Sequence, residues 1–434
     1  LFRSFYISGN VNLKMMSGNV NFKLMSCIDL EETRRDFPIL ERKIRGKSLV
    51  YLDSGASSLK PIQVIDAVRE FYLKEYSNIH RGIHYLSQQA TSRYEEAREK
   101  IAKFINANGP EEVIFTYGTT DSLNMVAYSY GLRALKPENE IFLTVMEHHS
   151  NILPWMHISS ITGARINYID ITDDGLLDYE RIDREIDEKT KIFSVTHMSN
   201  VLGTIVDVRR IARRVHEVGG VIVVDGAQSV PHMPINVREL EIDFLAFSGH
   251  KMLGPTGIGV LWVKHDLLDD LHPFRLGGGA IRDVTLNDFM LLDPPNSFEA
   301  GTPNIAGVIG LATAVEYLQR IGMDKVRRHE EELTSYTLGK LEDLEDYITI
   351  YGPKNVSVRG GIITFNIRGL DSNIVGSLLD SYGIAVRTGK HCAHPLHRRL
   401  NIDGSVRASI YIYNTREEID YLASALREII SEAK

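Results

Sequence analysis

VIVVDGAQ, Val221 to Gln228, sets four apolar β-formers in a row before an aspartate, a glycine, an alanine and a glutamine. A strand with one face in water alternates apolar and polar residues. An uninterrupted run is buried on both faces, as in a parallel sheet covered by helices. Outward from this stretch the pattern repeats. VIFTYG (Val113–Gly118), IFLTV (Ile141–Val145), ARINYID (Ala164–Asp170), KIFSVTHMS (Lys191–Ser199), IDFLAFSG (Ile242–Gly249) and GIGVLWVK (Gly257–Lys264) are similar runs. Helical spacings lie between them: a stretch through Leu132, another over Asn151–Thr162, and Val208–Val218. The last has Val208, Ile211, Ala212, Val215 and Val218 on one face. The alternation predicts an α/β unit on a mostly parallel sheet.

Ligands of such sheets bind beyond the carboxyl ends of the strands. Five of the runs end on polar residues: Gly118-Thr119-Thr120, Glu147-His148-His149, Asn200, Asp225 to Gln228, and Ser248-Gly249-His250-Lys251. Any one of these reads equally well as a turn or a helix cap. Five together on one rim predict an active site. The Thr119-Thr120 turn opens a helix, whose N–H groups suit a phosphate, and Ser248 and His250 add donors. Lys251 can form a Schiff base with an aldehyde cofactor. Asp225 can pair with the protonated pyridine nitrogen that makes pyridoxal phosphate an electron sink. His148 can stack on that ring and move protons. A nucleotide site lacks its motifs, since no G-x-G-x-x-G follows a strand and no P-loop occurs.

After Gly301-Thr302-Pro303-Asn304 the pattern changes. Helical stretches over about Ala306–Leu344 precede ITIYG (Ile348–Gly352), GIITFNIR (Gly361–Arg368), a helix through Ser381, and SVRASIYIYN (Ser405–Asn414). A capping box, Thr415 to Glu418, opens a last helix with Ile419, Leu422, Leu426 and Ile429 on one face. These form a smaller α+β domain. Within it RTGKHCAHP, Arg387 to Pro395, holds Cys392, one of only two cysteines in the chain. Arg387, Lys390, His391 and His394 surround it, and nearby cations favour thiolate over thiol. These nine residues leave open a nucleophile, a metal ligand or a buried small hydrophobe. A nucleophile here requires both domains to share a cleft. A zinc cluster of His391, Cys392, His394 and His397, making this domain a metal-binding or sulfur-carrier module, fits the usual paired ligand spacing poorly.

The chain has 434 residues, beyond the ~250–300 at which one core stops growing, so two domains are expected. A net charge of −8 without a dense Lys/Arg run argues against nucleic acid. The apolar runs are far shorter than the ~20 residues that span a bilayer, so no membrane partner is expected. Two cysteines cannot form a disulfide framework, which favours a reducing, cytoplasmic setting. SGNVNLKMM (Ser8–Met16) and SGNVNFKLM (Ser17–Met25) are a tandem near-repeat. Residues 1–25 read as an N-terminal extension, disordered or a mis-assigned start, with residues 1–24 a dispensable leader, Met25 the working start and Cys27 without function. Mass spectrometry showing the first residues retained would remove that reading.

YLDSGASSLKP, NIHRGIHYLS, FTYGTTDSLN, MEHHSNILPW, THMSNVLGT, VDGAQSVPH, FSGHKMLGPTGIG, FEAGTPN, YGIAVRTGKHCAHP and VRASIYIYNT follow one another in order from Tyr51 to Thr415. On these motifs the chain resembles the pyridoxal-phosphate-dependent cysteine desulfurases of the class V aminotransferase family, most of all the group II, SufS-like members. The resemblance implies an aspartate-aminotransferase-like fold (fold type I). Its large cofactor domain, residues 45–305, has a mostly parallel seven-stranded sheet. Residues 26–44 with 306–434 form the small domain carrying the Cys392 loop. It implies Lys251 as the cofactor lysine, Asp225 on the pyridine nitrogen, Gln228 on the phenolic oxygen and His148 on the ring. Thr119, Thr120, Ser248 and His250 would hold the phosphate, with Thr302 from the second subunit of a homodimer; His80 and Arg81 would reach across it. Asn200 and Arg407 would hold the carboxylate of L-cysteine, with Arg387 a second cation, and no metal is implied. The product would be L-alanine, with a persulfide on Cys392 destined for a sulfur-acceptor protein of iron–sulfur cluster assembly. Lys390 and Ala280 depart from the group II pattern, which usually has histidine and methionine there. A selenocysteine lyase, or a kynureninase- or epimerase-like enzyme of the same family, is the alternative.

Overall fold

The structure, a computed structural model, describes residues 28–433. The tandem repeat, Met25 and Cys27 lie outside the described residues. Seven strands form the central sheet: β1 (Val113–Thr116), β2 (Glu140–Thr144), β3 (Arg165–Ile169), β4 (Thr190–Thr196), β5 (Val221–Asp225), β6 (Phe244–Ser248) and β7 (Gly259–Val263). Their order is β1-β7-β6-β5-β4-β2-β3. Only β7 runs against the direction of the other six strands. The continuous apolar runs have the expected cause, since both faces are covered. In β5, Ile222 and Val224 join one core with Ile101 and Leu311, while Val221 and Val223 join another with Trp155 and Ile158. The β1 and β7 ends approach so closely that a Cβ on Gly259 would sit 2.4 Å from the Gly118 Cα. That approach needs glycine, and it fixes where the Thr119 turn begins.

The small domain is built on an antiparallel sheet: β8 (Ile348–Tyr351), β9 (Ile362–Ile367), β10 (Arg387–Gly389) and β11 (Ser405–Ser409), in the order β8-β9-β11-β10. The last helix, Arg416–Glu432, opens with the expected capping box, and Ile419, Leu422, Leu426 and Ile429 are buried. Each such side chain contributes about 1.5–3 kcal/mol on leaving water. The strand read as reaching Asn414 stops at Ser409. There the Ile410 N–H turns to the Gly361 carbonyl and the Tyr411 N–H to Asn414 Oδ1 at 2.8 Å. The buried Tyr411 and Tyr413 then find partners in Pro231 O and Ser54 Oγ.

Two segments join the other unit's core from the one the sequence suggests. Val50–Tyr51 pairs in parallel with Ile384–Ala385, so Val50 and Leu52 pack in the small-domain core. The helix Ile305–Ile321 is apolar nearly all round, and it buries Val308, Leu311 and Val315 in the large-domain core. Just before it, Glu299 pairs with the buried Arg98 at 2.6 Å and accepts from Tyr94 Oη and the Phe115 N–H. This anchors the Thr302 segment against β1. Among the described residues, no helix is long and apolar enough to cross a membrane.

Candidate active site

At the carboxyl ends of β1, β4, β5 and β6 lies a cavity of about 350 Å³, walled on the far side by the small domain. Thr119, Thr120, His148, Asn200, Asp225 and Gln228 line it from the large domain, together with Ser248, His250 and Lys251. Arg387, Cys392 and Arg407 line it from the small domain. Twelve of the residues expected from the sequence therefore meet in one space. Thr302 does not line it. With His80 and Arg81 it borders a separate concavity beside Gly278 and Gly279.

At one end of the cavity the Thr119 N–H and Oγ1 lie 2.8 and 2.7 Å from Ser248 Oγ, at the start of the helix Thr119–Val126. Thr120 Oγ1 is 2.7 Å from Ser150 Oγ. The Thr119 and Thr120 groups meet hydroxyl partners at a positive helix end, with Ser150 Oγ also 3.0 Å from His148 Nδ1, an arrangement that suits an anion. His148 Nδ1 accepts the Ser150 N–H at 3.1 Å, so the proton of its neutral ring sits on Nε2. Burial first, then the charge of Lys251, pushes His148 down to about 3. The ring is neutral at pH 7.

Asp225 is buried, and its Oδ1 accepts the Ala227 N–H at 2.9 Å. Burial pushes its pKa above the ordinary carboxylate value, opposed by that bond and by Lys251. Gln228 gives its Nε2 to the Gly55 carbonyl at 2.7 Å, which leaves Oε1 buried without a partner. Such an orphan costs about 1–3 kcal/mol unless a ligand meets it. Burial brings the Lys251 amine down to about 8, against the pull of Asp225. Arg407 lowers it further and Cys392 raises it, so amine, guanidinium and thiol sit within electrostatic reach of one another.

Cys392 and His391 both have left-handed backbones, with φ of 55° and 46°. Side-chain-bearing residues adopt this region at a cost of about 1–2 kcal/mol each, so the surroundings must hold it. The large domain does so. The His149 N–H donates to the Cys392 carbonyl at 2.8 Å, and Asn200 Nδ2 donates to the His391 carbonyl at 2.8 Å. His149 Nε2 lies 2.9 Å from His394 Nδ1 and accepts the His394 N–H at 3.3 Å.

The flank of Cys392 is less cationic than the sequence suggests. His391 is pushed down to about 2, by burial and then by Arg407, and is neutral. Arg387 is paired with Asp53 at 2.7 Å. The three histidines of the zinc alternative have other partners: His391 and His397 share Ser405 Oγ, and His394 meets His149. Among the described residues no three His, Cys, Asp or Glu side chains group to hold a metal.

The profile of the family described as aminotransferase class-V matches residues 50–422. The chain belongs to the class-V aminotransferase family. A probable cysteine desulfurase of Halalkalibacterium halodurans is 49% identical over 401 residues, covering 92% of this chain and 98% of the relative. The cysteine desulfurase of Haloferax volcanii is 48% identical over 412 residues, 92% of this chain and 96% of the relative. The apo structure of the cysteine desulfurase from Thermococcus onnurineus superposes with a TM-score of 0.89 at 41% identity, over 93% of this chain and 98% of that one. This class-V aminotransferase family member thus carries the fold expected from its sequence motifs. Sequence reasoning missed Asp53, which holds two arginines of the site, and the roles of His149 and Ser150. Asp53 follows two apolar residues and precedes Ser-Gly, so alone it looks like a turn residue.

Proposed function

We infer that the protein is a pyridoxal-phosphate-dependent cysteine desulfurase that converts L-cysteine to L-alanine and leaves the sulfur as a persulfide on Cys392. The observation that carries this reading is the meeting of Lys251, Asp225 and Cys392, from β6, β5 and the small domain, around one cavity. The donor set fits the cofactor: a hydroxyl cluster for a phosphate, a buried carboxylate for a pyridine nitrogen, an orphaned amide oxygen, and an amine lowered to about 8. Thr119, Thr120, Ser248 and His250 would hold the phosphate, Asp225 the ring nitrogen, Gln228 the phenolic oxygen and His148 the ring face. When bound, pyridoxal phosphate supplies the electron sink that lets bonds at the substrate's α- and β-carbons break.

The chain's own groups do the rest. Arg407 and Asn200, with Arg387, orient the substrate carboxylate. Arg's planar fork suits that task. The Lys251 amine, near its pKa at neutral pH, takes and returns protons at the substrate carbons. Cys392 attacks the substrate sulfur as thiolate, from a loop fixed by His149 and Asn200. The substrate's Cβ–S bond breaks, and its electron pair leaves with the carbon skeleton, which is protonated to alanine. The sulfur stays on Cys392 as the persulfide.

Leu286, Phe289 and Met290 are exposed on the hairpin Ile281–Leu291 beside the concavity of Thr302. They support a homodimer in which Thr302 completes the neighbour's phosphate site. In this reading the persulfide passes, in the cytoplasm, to an acceptor protein for iron–sulfur cluster assembly. The short Cys392 loop makes unassisted turnover slow, and the acceptor stimulates it. The test is product analysis with L-cysteine and a reductant. Alanine and sulfide should appear in equal amounts, be lost in Cys392→Ala, and leave that variant's yellow absorbance intact; Lys251→Ala should lose the absorbance. A colourless wild-type protein, or alanine formed without Cys392, refutes the reading.

A further inference from the structure

Arg387 and Arg407 are directly opposed on the antiparallel strands β10 and β11. Like charges in that register repel and destabilise a sheet. Both guanidinium groups nevertheless face the same cavity, and Arg407 is almost wholly buried. One side chain answers both charges. Asp53 accepts from Arg387 Nη2 at 2.7 Å and Nε at 3.3 Å, and its Oδ1 lies 3.6 Å from Arg407 Nη2. Arg407 donates otherwise to the Asn200 carbonyl at 2.9 Å, and its Nε is buried without a partner. Asp53 follows the Val50–Tyr51 strand and is bridged in parallel to Ser409 at the end of β11. Its carboxylate is therefore fixed relative to both arginines and only slightly exposed.

The charges leave a defined opening. Two cations face one anion, so the cluster of Arg387, Arg407 and Asp53 carries one unanswered positive charge and one buried unpartnered donor. That is the complement of a single carboxylate. Bidentate capture by Asp53 also fixes the plane of the Arg387 fork.

We propose that Asp53 is a positioning and specificity residue: an internal carboxylate that aligns Arg387 and Arg407 and limits the site to one incoming carboxylate of moderate affinity. The proposal rests on the reading of the cavity as an amino-acid site. Without Asp53 the arginines carry two unanswered charges, so small carboxylates bind more tightly while the alignment needed for turnover is lost. A purely structural aspartate gives the opposite result, because damage to a site weakens its ligands.

The test is calorimetric binding of propionate, which has a carboxylate but no amine or sulfur, to the purified holoprotein. Asp53→Asn should bind propionate at least fivefold more tightly than wild type, with kcat for cysteine reduced, and Asp53→Glu should return propionate affinity toward the wild-type value. Unchanged or weaker propionate binding by a folded D53N protein overturns the proposal. Should D53N fail to fold, R387Q and the double variant D53N/R387Q carry the test. The double variant must bind propionate at least threefold more tightly than R387Q, and equal affinity overturns the proposal. Propionate binding needs no turnover, so a protein that fails to desulfurate cysteine would sink the functional reading while leaving this measurement interpretable.

Discussion

Only an unprotonated amine adds to an aldehyde, so with Lys251 as the proposed cofactor lysine its acidity sets how fast the apo-protein captures pyridoxal phosphate. With the amine brought down to about 8, about a quarter of it is neutral at pH 7.5. An ordinary lysine near 10.5 would be about 0.1% neutral, so burial raises the reactive fraction roughly 200-fold. The capture rate, followed by stopped-flow absorbance, should rise about tenfold per pH unit up to about 8 and then level off. Two substitutions should move that inflection in opposite directions. Asp225→Asn removes the negative charge that holds the ammonium and should lower the inflection. Arg407→Gln removes an opposing cation and should raise it, each by on the order of one unit. A capture rate still climbing at pH 10, or two variants shifted the same way, would refute the reasoning.

Three further outcomes follow from particular contacts. Glu147 is buried among Thr144 and Asn151, and burial raises it to about 8, so the native state keeps a proton that the unfolded chain loses near 4.5. Stability should fall as pH rises between those values; Glu147→Gln should lack that slope in denaturant titrations. His149→Ala removes the imidazole contact to His394, worth about 1 kcal/mol, and should speed iodoacetamide alkylation of Cys392 about fivefold in a Cys27→Ser background. Arg98→Met strands Glu299 in the core and should cost about 3–5 kcal/mol in denaturant unfolding.

The sheet was legible because its strands are buried on both faces, a property written locally as unbroken apolar runs. The rim was legible because Thr119, Asp225, Ser248 and Lys251 directly follow those runs. What the residues did not announce is pairing across long separations. Nothing near Tyr51 says that it will lie beside Ala385, or that Asp53 will hold Arg387 and Arg407. The charge of the Cys392 flank was misjudged for a related reason. Counting His391 as a cation assumes solvent around it, and only the packed structure reveals that its ring is buried. The end of β11 escaped notice because Ile410 to Tyr413 keep a strand-like composition while the Tyr411 N–H turns to the Asn414 side chain.

The pairing of Val50–Tyr51 with Ile384–Ala385 also bears on how the chain is made. A ribosome adding about 5–20 residues per second releases the first of these strands on the order of half a minute before the second exists. By the end of that interval the residues of the cavity up to Lys251 have been made, while one short apolar edge has stayed open to stray pairing throughout. The Cys392 thiol emerges after the strand-end residues of the cavity, from Thr119 to Lys251, and before Arg407.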